Sequence, residues 1–256
     1  ITWDARLSAA ARRLAYTVTP PDTETGVAVF SGEAGDQEIT GITTMAPVTS
    51  TSIGIFQHET AVEDRAAGWW SEGAGWYYPS SGEYIIVNSS KHPTDEQITP
   101  HHFLYSEITG DFSLEAKISA VSLGHLEGTH DLAVIGVWNT LAPGSVGCLA
   151  IRWCDEDAFP AWRLRPDHQP SYEPLLSPQI QDGRLKIVRE GNTYSMYYFN
   201  TTTMEWTFHG SRTLELTDPV YVGLSAMGGE DRYVLGRFSG VELILTSACA
   251  DWELYK

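Results

Sequence analysis

The sequence predicts an all-β protein: a two-sheet antiparallel β-sandwich, or jelly roll, with one short N-terminal helix. Two observations carry this prediction. Short runs rich in β-branched and aromatic residues recur along most of the chain, and turn signals such as "SGE", "TGD", "APGS" and "QDG" separate them. Many short strands at this spacing are typical of sandwiches and jelly rolls. The hydrophobic share of 42 % is sufficient for a core.

The elements follow one another in a simple order. Residues 4–15, "DARLSAAARRLA", place Leu7, Ala10, Ala11 and Leu14 at helical spacing, which predicts a short amphipathic helix. "PPDTETG" ends that helix, and strands and turns follow it. The predicted strands are "GVAVF", "STSIGIF", "GEYIIVN", "FSLEAKISAV", "DLAVIGVW", "CLAIRWC", "RLKIVR", "TYSMYYF", "YVGLSAM" and "RFSGVELIL".

Four segments of the chain carry a likeness to a known superfamily. They are "GWWSEGAGWYYPSSGEYIIVNSS", "ITGDFSLEAKIS", "GRLKIVREGNTYSMYYFNTTTMEWTFHGS" and "DPVYVGLSAMGG…GRFSGVEL". With these segments the chain resembles the concanavalin A-like (laminin G / glucanase-like) β-sandwich superfamily. The resemblance implies the sandwich fold and does not select one function. Residues 1–67 have no counterpart in it, so we expect a sandwich over 68–256 and an N-terminal extension over 1–67 that packs on it.

The charge balance excludes two classes of partner. The chain has 33 acidic and 16 basic residues, for a net charge of −17. Nucleic acids and anionic membrane surfaces both require a basic face, so neither is expected as a partner. The longest uncharged stretch, residues 39–57, is dense in Thr, Ser and Gly, which makes it too polar to span a membrane.

Two sequons and the chain start bear on the cellular compartment. Asn88 and Asn200 each begin an N-x-S/T sequence, which is a glycosylation acceptor when it lies on the surface of a secreted protein. The chain begins at Ile1 without a methionine, so we expect that it is processed or truncated. A secreted protein is the favoured interpretation, and chance occurrence of the sequons is the alternative.

Three cysteines leave room for one disulfide. Cys148 and Cys154 lie six residues apart in one predicted strand, a span of about 20 Å. Bridged cysteines need Cα atoms within about 7 Å, so these two cannot bond to each other. A bridge must then use Cys249, and Cys154 is the predicted partner because it lies where the strand ends.

The usual catalytic constellations are missing from the sequence. Glucan-cleaving members of the superfamily carry a Glu-x-Asp-x-Glu run on one strand, and this chain has none, which argues against a carboxylate-pair glycosidase. No G-x-S-x-G occurs. His101 and His102 are adjacent and would point to opposite faces of a strand, and His125 and His130 lack a third ligand, so no metal site is predicted. No cofactor is expected, although the superfamily resemblance leaves a structural calcium open.

Several middle strands show two non-polar faces rather than one. In "DLAVIGVW" and "CLAIRWC" both alternating sets are largely apolar. One face fills the space between the sheets, and the other must be covered. Residues 1–67 could cover it, or it could line an apolar pocket that those residues partly roof; the two options are compatible.

Arg152 is the one charge in the middle of these strands. It needs a carboxylate, a carbonyl or a ligand oxygen, and Asp131 or Glu173 could supply an internal partner. In the pocket interpretation, Arg152 and Tyr194 polarise a ligand oxygen. The predicted ligand contacts are Val137, Ala150, Tyr198, Tyr221 and Met227, with His168 on a proline-rich rim loop.

Two functions from different classes are compatible with these features. The first is an enzyme, a cyclase or isomerase that acts by shape and hydrogen bonding on a mostly apolar terpenoid or polyketide, by analogy with hetero-Diels–Alderases. The second is a secreted glycan-binding or glycan-processing protein, in which aromatic rings stack on sugars. The candidate rings are Trp69, Trp70, Trp76, Tyr77 and Tyr78. A purely structural or partner-binding domain and a homodimer are further options.

Overall fold

The computed structural model describes residues 28–29, 33–34, 37–38, 44–45, 53–68, 70–90, 100–123, 132–153, 158–166, 171–172, 183–228 and 233–246. Residues 1–51 and 52–256 form two compact units. In the first unit, β1 (Ala28–Val29) pairs with β4 (Thr44–Met45), and β2 (Glu33–Ala34) pairs with β3 (Gln37–Glu38), both antiparallel. The helix predicted over residues 4–15 lies outside the described residues.

The second unit is built from strands and one 3₁₀ turn at Arg65–Ala67. Its strands are β5 (His58–Val62), β6 (Ser71–Tyr78), β7 (Glu83–Ser90), β8 (His101–Ile108), β9 (Asp111–Leu123), β10 (Leu132–Trp138), β11 (Gly147–Trp153), β12 (Ala158–Arg163), β13 (Ser171–Tyr172), β14 (Arg184–Glu190), β15 (Thr193–Asn200), β16 (Glu205–Thr213), β17 (Val220–Met227) and β18 (Tyr233–Thr246). No helix in the described part of the chain is long and apolar enough to cross a membrane.

These strands form two seven-stranded antiparallel sheets, which confirms the predicted β-sandwich. The first sheet has the order β13-β12-β11-β10-β17-β8-β5, and the second has the order β16-β15-β14-β9-β18-β7-β6. We call the side of each sheet that faces the other sheet its inner face. The sandwich starts earlier than residue 68, the predicted boundary, because β5 pairs with β8 and forms an edge of the first sheet. That residues 1–51 pack on the sandwich stays a prediction.

Side chains alternate between the two faces of a strand, and in the second sheet only one of these faces packs into the core. In β14, Leu185 and Ile187 are buried, whereas Arg184 and Lys186 are only partly covered. Full burial of such an aliphatic side chain stabilises the fold by about 1.5–3 kcal/mol. The second sheet therefore has one apolar face and one face that carries both polar and apolar side chains.

The first sheet is buried on both faces, as its sequence predicts. Ala133, Ile135 and Val137 of β10 join the core between the sheets. The alternate residues of β10, Val134 and Trp138, belong to a second apolar cluster on the outer face. That cluster comprises Val62, Phe103, Tyr105, Val134, Trp138, Leu149, Ile151, Ala161 and Met227. The outer face of the first sheet therefore also buries apolar side chains.

Glycines permit the close approach of backbone and rings within this sheet. The Trp138 ring lies over Gly136, where an added Cβ would come within 2.4 Å of the ring. An added Cβ at Gly223 would come within 1.9 Å of the Leu104 carbonyl oxygen on β8. The register of β17 against β8 therefore depends on the missing side chain at Gly223.

A polar clasp joins the two sheets at one open edge. Glu59 of β5 lies on the first sheet, and its Oε1 accepts hydrogen bonds from His102 Nε2 at 2.6 Å and from the Gly75 backbone N–H of β6 at 2.8 Å. Burial would raise the pKa of Glu59, but the two hydrogen bonds and the His102 charge outweigh it and lower the pKa below its ordinary value. The ionised carboxylate is therefore the form that holds the edges together.

Substitution of Gly223 by alanine should destabilise the sandwich strongly. The Cβ clashes with backbone that cannot move without breaking the sheet, so we expect a loss of about 3 kcal/mol or more in the free energy of unfolding. Urea denaturation measures it. Gly210→Ala is the matched control, since an added Cβ there meets nothing within 4 Å; equal losses in both variants would contradict the close approach.

The Glu59 clasp should make part of the stability pH-dependent. A carboxyl group with a lowered folded-state pKa stabilises the fold above its unfolded pKa, and the contribution is lost as pH falls through the folded pKa. Glu59→Gln should therefore cost about 1 kcal/mol at neutral pH and nearly nothing in acid. Unfolding curves at several pH values test this, with Glu205→Gln, an exposed carboxylate, as the control. A pH-independent difference would contradict the clasp.

Candidate functional site

The residues predicted to form one apolar pocket do not come together. Val137, Ala150 and Arg152 lie on the inner face of the first sheet, and Tyr194 and Tyr198 lie opposite them on the inner face of the second. All five are buried, with at most 6 % of any side chain exposed. They are part of the packed interior between the sheets.

Tyr221 and Met227 lie on the other side of the first sheet. The register explains the separation: Ile135 of β10 pairs with both Ala150 of β11 and Leu224 of β17, so Ala150 shares a face with Leu224. Tyr221 and Met227 have the opposite parity to Leu224 in β17 and join the outer cluster. The thickness of the sheet therefore separates them from the other predicted contacts.

Arg152 is an interior residue. It is 6 % exposed, and its guanidinium lies close to Gly183, where an added Cβ would come within 3.2 Å of an Arg152 terminal nitrogen. Five further residues named from the sequence lie outside the described residues: Asp131, Cys154, His168, Glu173 and Cys249. The predicted disulfide and the rim histidine thus stay predictions, whereas Cys148 is a buried free thiol whose pKa is raised by burial.

The surroundings of the Tyr194 hydroxyl do not fit the catalytic role predicted for it. This hydroxyl is buried and has no hydrogen-bond partner among the residues that the structure describes. Burial raises the pKa of this phenol well above its ordinary value, although Arg189 nearby acts in the other direction. A hydroxyl enclosed between two sheets cannot reach a ligand at the surface.

The two sequons differ in their accessibility. Asn88 is fully buried, and its Oδ1 accepts a hydrogen bond from Ser71 Oγ at 2.8 Å, so the native fold has no space for a glycan there. The prediction of a glycan at Asn88 is therefore wrong. Asn200 is partly exposed at the end of β15, where its Oδ1 accepts from the backbone N–H groups of Thr202 and Thr203. Glycosylation at Asn200 stays a prediction.

The aromatic run after residue 68 does not form one platform. Tyr77 packs against the core, and its ring contacts the Tyr84 ring in a tilted arrangement with the centroids 4.6 Å apart. Trp76 and Tyr78 have the opposite parity on β6, Trp70 precedes that strand, and Trp69 lies outside the described residues. The run thus divides between packing and surface.

Four residues of the first sheet's outer face form a more exposed cluster, which we call the tyrosine patch: His58, Tyr105, Glu107 and Tyr221. Cross-strand pairs assemble it, since His58 lies opposite Tyr105 and Tyr221 lies opposite Glu107. The ring centroids of His58 and Tyr105 are 5.1 Å apart, and those of Tyr105 and Tyr221 are 5.5 Å apart. His58 and Glu107 are exposed, and Tyr221 is partly exposed.

A rigid aromatic floor supports the patch. Phe103 stacks on Tyr105 at 5.0 Å and meets the edge of Trp138 at 4.5 Å, and His101 stacks on Trp138 at 4.9 Å. Burial raises the pKa of Tyr105, and Glu107 and Tyr221 raise it further, so its hydroxyl stays protonated. The patch therefore offers fixed rings, phenol donors, one carboxylate acceptor and one imidazole.

Sequence reasoning missed this patch for an identifiable reason. Tyr105 and Glu107 alternate on one face of "HHFLYSEI", which is a weak but readable signal. His58 and Tyr221 come from strands distant in sequence, and only the strand order brings them beside β8. Among the described residues, no group of three or more His, Cys, Asp or Glu side chains could hold a metal ion.

Comparison with known proteins establishes the fold. No family model matches the sequence, and no curated protein matches it. A functionally unknown protein from Saccharomyces cerevisiae is similar at 16 % identity and a TM-score of 0.50, over 68 % of this chain and 96 % of that chain. A legume lectin-like domain from Entamoeba histolytica is similar at 10 % identity and a TM-score of 0.44, over 71 % of this chain and 91 % of that chain. The VIP36 exoplasmic/lumenal domain in its Ca2+/Man3GlcNAc-bound form is similar at 11 % identity and a TM-score of 0.41, over 72 % of this chain and 87 % of that chain.

The chain has a concanavalin A-like β-sandwich fold, as its segments predicted. The prediction of a terpenoid or polyketide cyclase is wrong. The residues predicted to form its pocket lie on opposite faces of the first sheet or inside the core between the sheets.

Substitution of Tyr194 by phenylalanine tests its interior role. Because the hydroxyl is buried without a partner, its removal should leave stability unchanged or raise it by about 1 kcal/mol. Tyr84→Phe is the matched control, since Tyr84 Oη accepts the Ile55 backbone N–H at 2.8 Å and its loss should cost about 1 kcal/mol. Thermal denaturation compares the two, and a larger loss at Tyr194 than at Tyr84 would contradict this placement.

Proposed function

We propose that the sandwich is a carbohydrate-binding domain and that the tyrosine patch is its binding surface. The observation that carries the proposal is the combination, on one face, of the exposed His58 ring and the partly exposed Tyr221 ring with the exposed Glu107 carboxylate, above the buried Tyr105 ring. A sugar complements such a surface, because one side of the sugar ring carries C–H groups that pack on aromatic rings and its rim carries hydroxyls that form hydrogen bonds.

In this proposal the rings of the patch pack on the sugar, and its polar groups form hydrogen bonds with the sugar hydroxyls. The Tyr221 and His58 rings offer faces for the C–H side of a sugar, as amphipathic rings do at many interfaces. Glu107 accepts hydrogen bonds from two sugar hydroxyls, and charge-assisted bonds of this kind are the stronger ones. A ligand that lacks those hydroxyls would leave the carboxylate partly desolvated and unpaired, which supplies specificity.

The floor under the patch makes the surface preorganised. Phe103 is fully buried and Trp138 is 2 % exposed, so the rings above them are held by close packing. Binding then costs little ordering of side chains, which favours affinity from a small contact area. A secretory-pathway location belongs to this proposal, and the partly exposed sequon at Asn200 supports it.

Loss of the patch should abolish glycan binding without unfolding the domain. The wild-type protein is screened on an array of neutral oligosaccharides, and the strongest binders are measured by calorimetry. Tyr221→Ala and Glu107→Gln should each weaken binding about tenfold or more, since each removes roughly 1.4 kcal/mol or more of contact energy.

Matched variants on the second sheet control for general effects. Tyr78→Ala and Glu205→Gln change the same residue types at partly exposed or exposed positions away from the patch, and binding should persist in both. Failure of the wild type to bind any saccharide on the array would overturn the proposal. Equal binding by the patch variants, with circular dichroism unchanged, would also overturn it.

A further inference from the structure

The strands that form the tyrosine patch carry carboxylates and no ammonium or guanidinium group. The sequences of β5, β8 and β17 contain Glu59 and Glu107 but no lysine or arginine. On the other strands of the first sheet the cations are Arg152 and Arg163, and both are buried. Besides the titratable ring of His58, the charge that the patch exposes to solvent is therefore negative.

The second sheet has a different charge distribution. Its strands carry six cationic side chains: Lys117, Arg184, Lys186, Arg189, Arg212 and Arg237. Two of its carboxylates form ion pairs with these cations, Glu115 with Lys186 and Glu83 with Arg237. By contrast, Glu107 is exposed and forms no ion pair with any residue that the structure describes. Exposed carboxylates without a cation are expected in a chain with 33 acidic and 16 basic residues, so the surroundings of Glu107 decide its significance.

Two phenol rings share the face on which Glu107 lies. Tyr221 is directly opposite Glu107 on β17, and Tyr105 precedes Glu107 by two residues on β8, so all three side chains point to the outer face. The two rings meet at an angle of 66°, with their centroids 5.5 Å apart. Burial raises the pKa of Tyr105, and the negative charge of Glu107 raises it further, as expected for a carboxylate close to the phenol. A group bound at Glu107 therefore lies beside a carboxylate and two aromatic rings.

This combination of groups favours a positive charge. The face of an aromatic ring carries negative partial charge and attracts cations, and an ammonium group also donates charge-assisted hydrogen bonds to a carboxylate. A hydroxyl at the same place gains only a hydrogen bond. An acidic group would be repelled by Glu107 and by the net charge of −17. The patch should therefore discriminate among ligands of one shape by the charge that they carry.

We propose that the tyrosine patch prefers an oligosaccharide with a free amino group, whose ammonium lies between Glu107 and the rings of Tyr105 and Tyr221. This inference rests on the proposed carbohydrate-binding function and names its ligand class. An ammonium group is close in size to the hydroxyl that it replaces, so the neutral parent sugar also fits and binds more weakly. His58 lies on β5, on the other side of β8 from Tyr221, and its ring stays available for the C–H side of the sugar.

Matched oligosaccharides test the preference by calorimetry. The three members of a set carry a free amino group, an N-acetylamino group or a hydroxyl at the same carbon. The wild type should bind the free amine about fivefold or more tightly than either neutral member, and the preference should shrink as salt is raised.

Substitutions in the patch separate the charge from the rings. Glu107→Gln keeps a hydrogen-bond acceptor but loses the charge, so it should remove most of the preference for the amine. Tyr221→Leu keeps apolar surface but loses the ring face, so it should reduce the preference about threefold, whereas Tyr221→Phe should retain it. Thermal denaturation establishes that each variant is folded.

A matched control and two further ligands define the outcomes. Glu205→Gln removes an exposed carboxylate from the second sheet and should leave the preference intact; an equal loss in Glu107→Gln and Glu205→Gln would overturn the inference. Equal affinity of the wild type for the amine and its neutral partners would overturn it while the carbohydrate-binding proposal stands, and binding of no saccharide would overturn both. Tighter binding of choline or of a lysine peptide, with the same Glu107 dependence, would overturn the assignment to saccharides.

Discussion

Burial of the first sheet on both faces is the constraint on which the rest of the structure depends. Successive side chains of a strand point to opposite faces, so a strand with two apolar faces has little freedom to slip by one residue. Gly136 and Gly223 add to this constraint, because ring and backbone occupy the space of their missing side chains. The Glu59 clasp lies at the edge of the sheet that β5 forms, and the tyrosine patch extends across β5, β8 and β17.

This constraint also encloses titratable side chains between the two sheets. Arg152, Tyr194 and Cys148 have reactive or titratable groups, but the core between the sheets encloses all three. The proposed binding surface instead lies on the outer face of the first sheet, where Phe103 and Trp138 support the rings of the tyrosine patch.

Sequence reasoning predicted the sandwich and the two-faced apolar strands because both are local properties, readable as alternation and turn spacing. It could not predict which faces of different strands coincide, because register is set by tertiary pairing. Ala150 and Tyr221 were therefore assigned to one pocket, although the Ile135 pairings place them on opposite sides. The prediction of a glycan at Asn88 was wrong for a similar reason, since a sequon does not indicate whether its asparagine is buried. Glu107 and His58 become neighbours of Tyr105 and Tyr221 only through the strand order, which the sequence did not reveal.

Mapping a bound sugar onto the sandwich tests the central claim most directly. Amide chemical shifts of isotope-labelled protein are followed as a neutral oligosaccharide selected on the array is added. We expect the largest changes at His58, Tyr105, Glu107 and Tyr221, with little change along β14. Changes centred on the interior strand β11, or no saturable change with any saccharide, would contradict it.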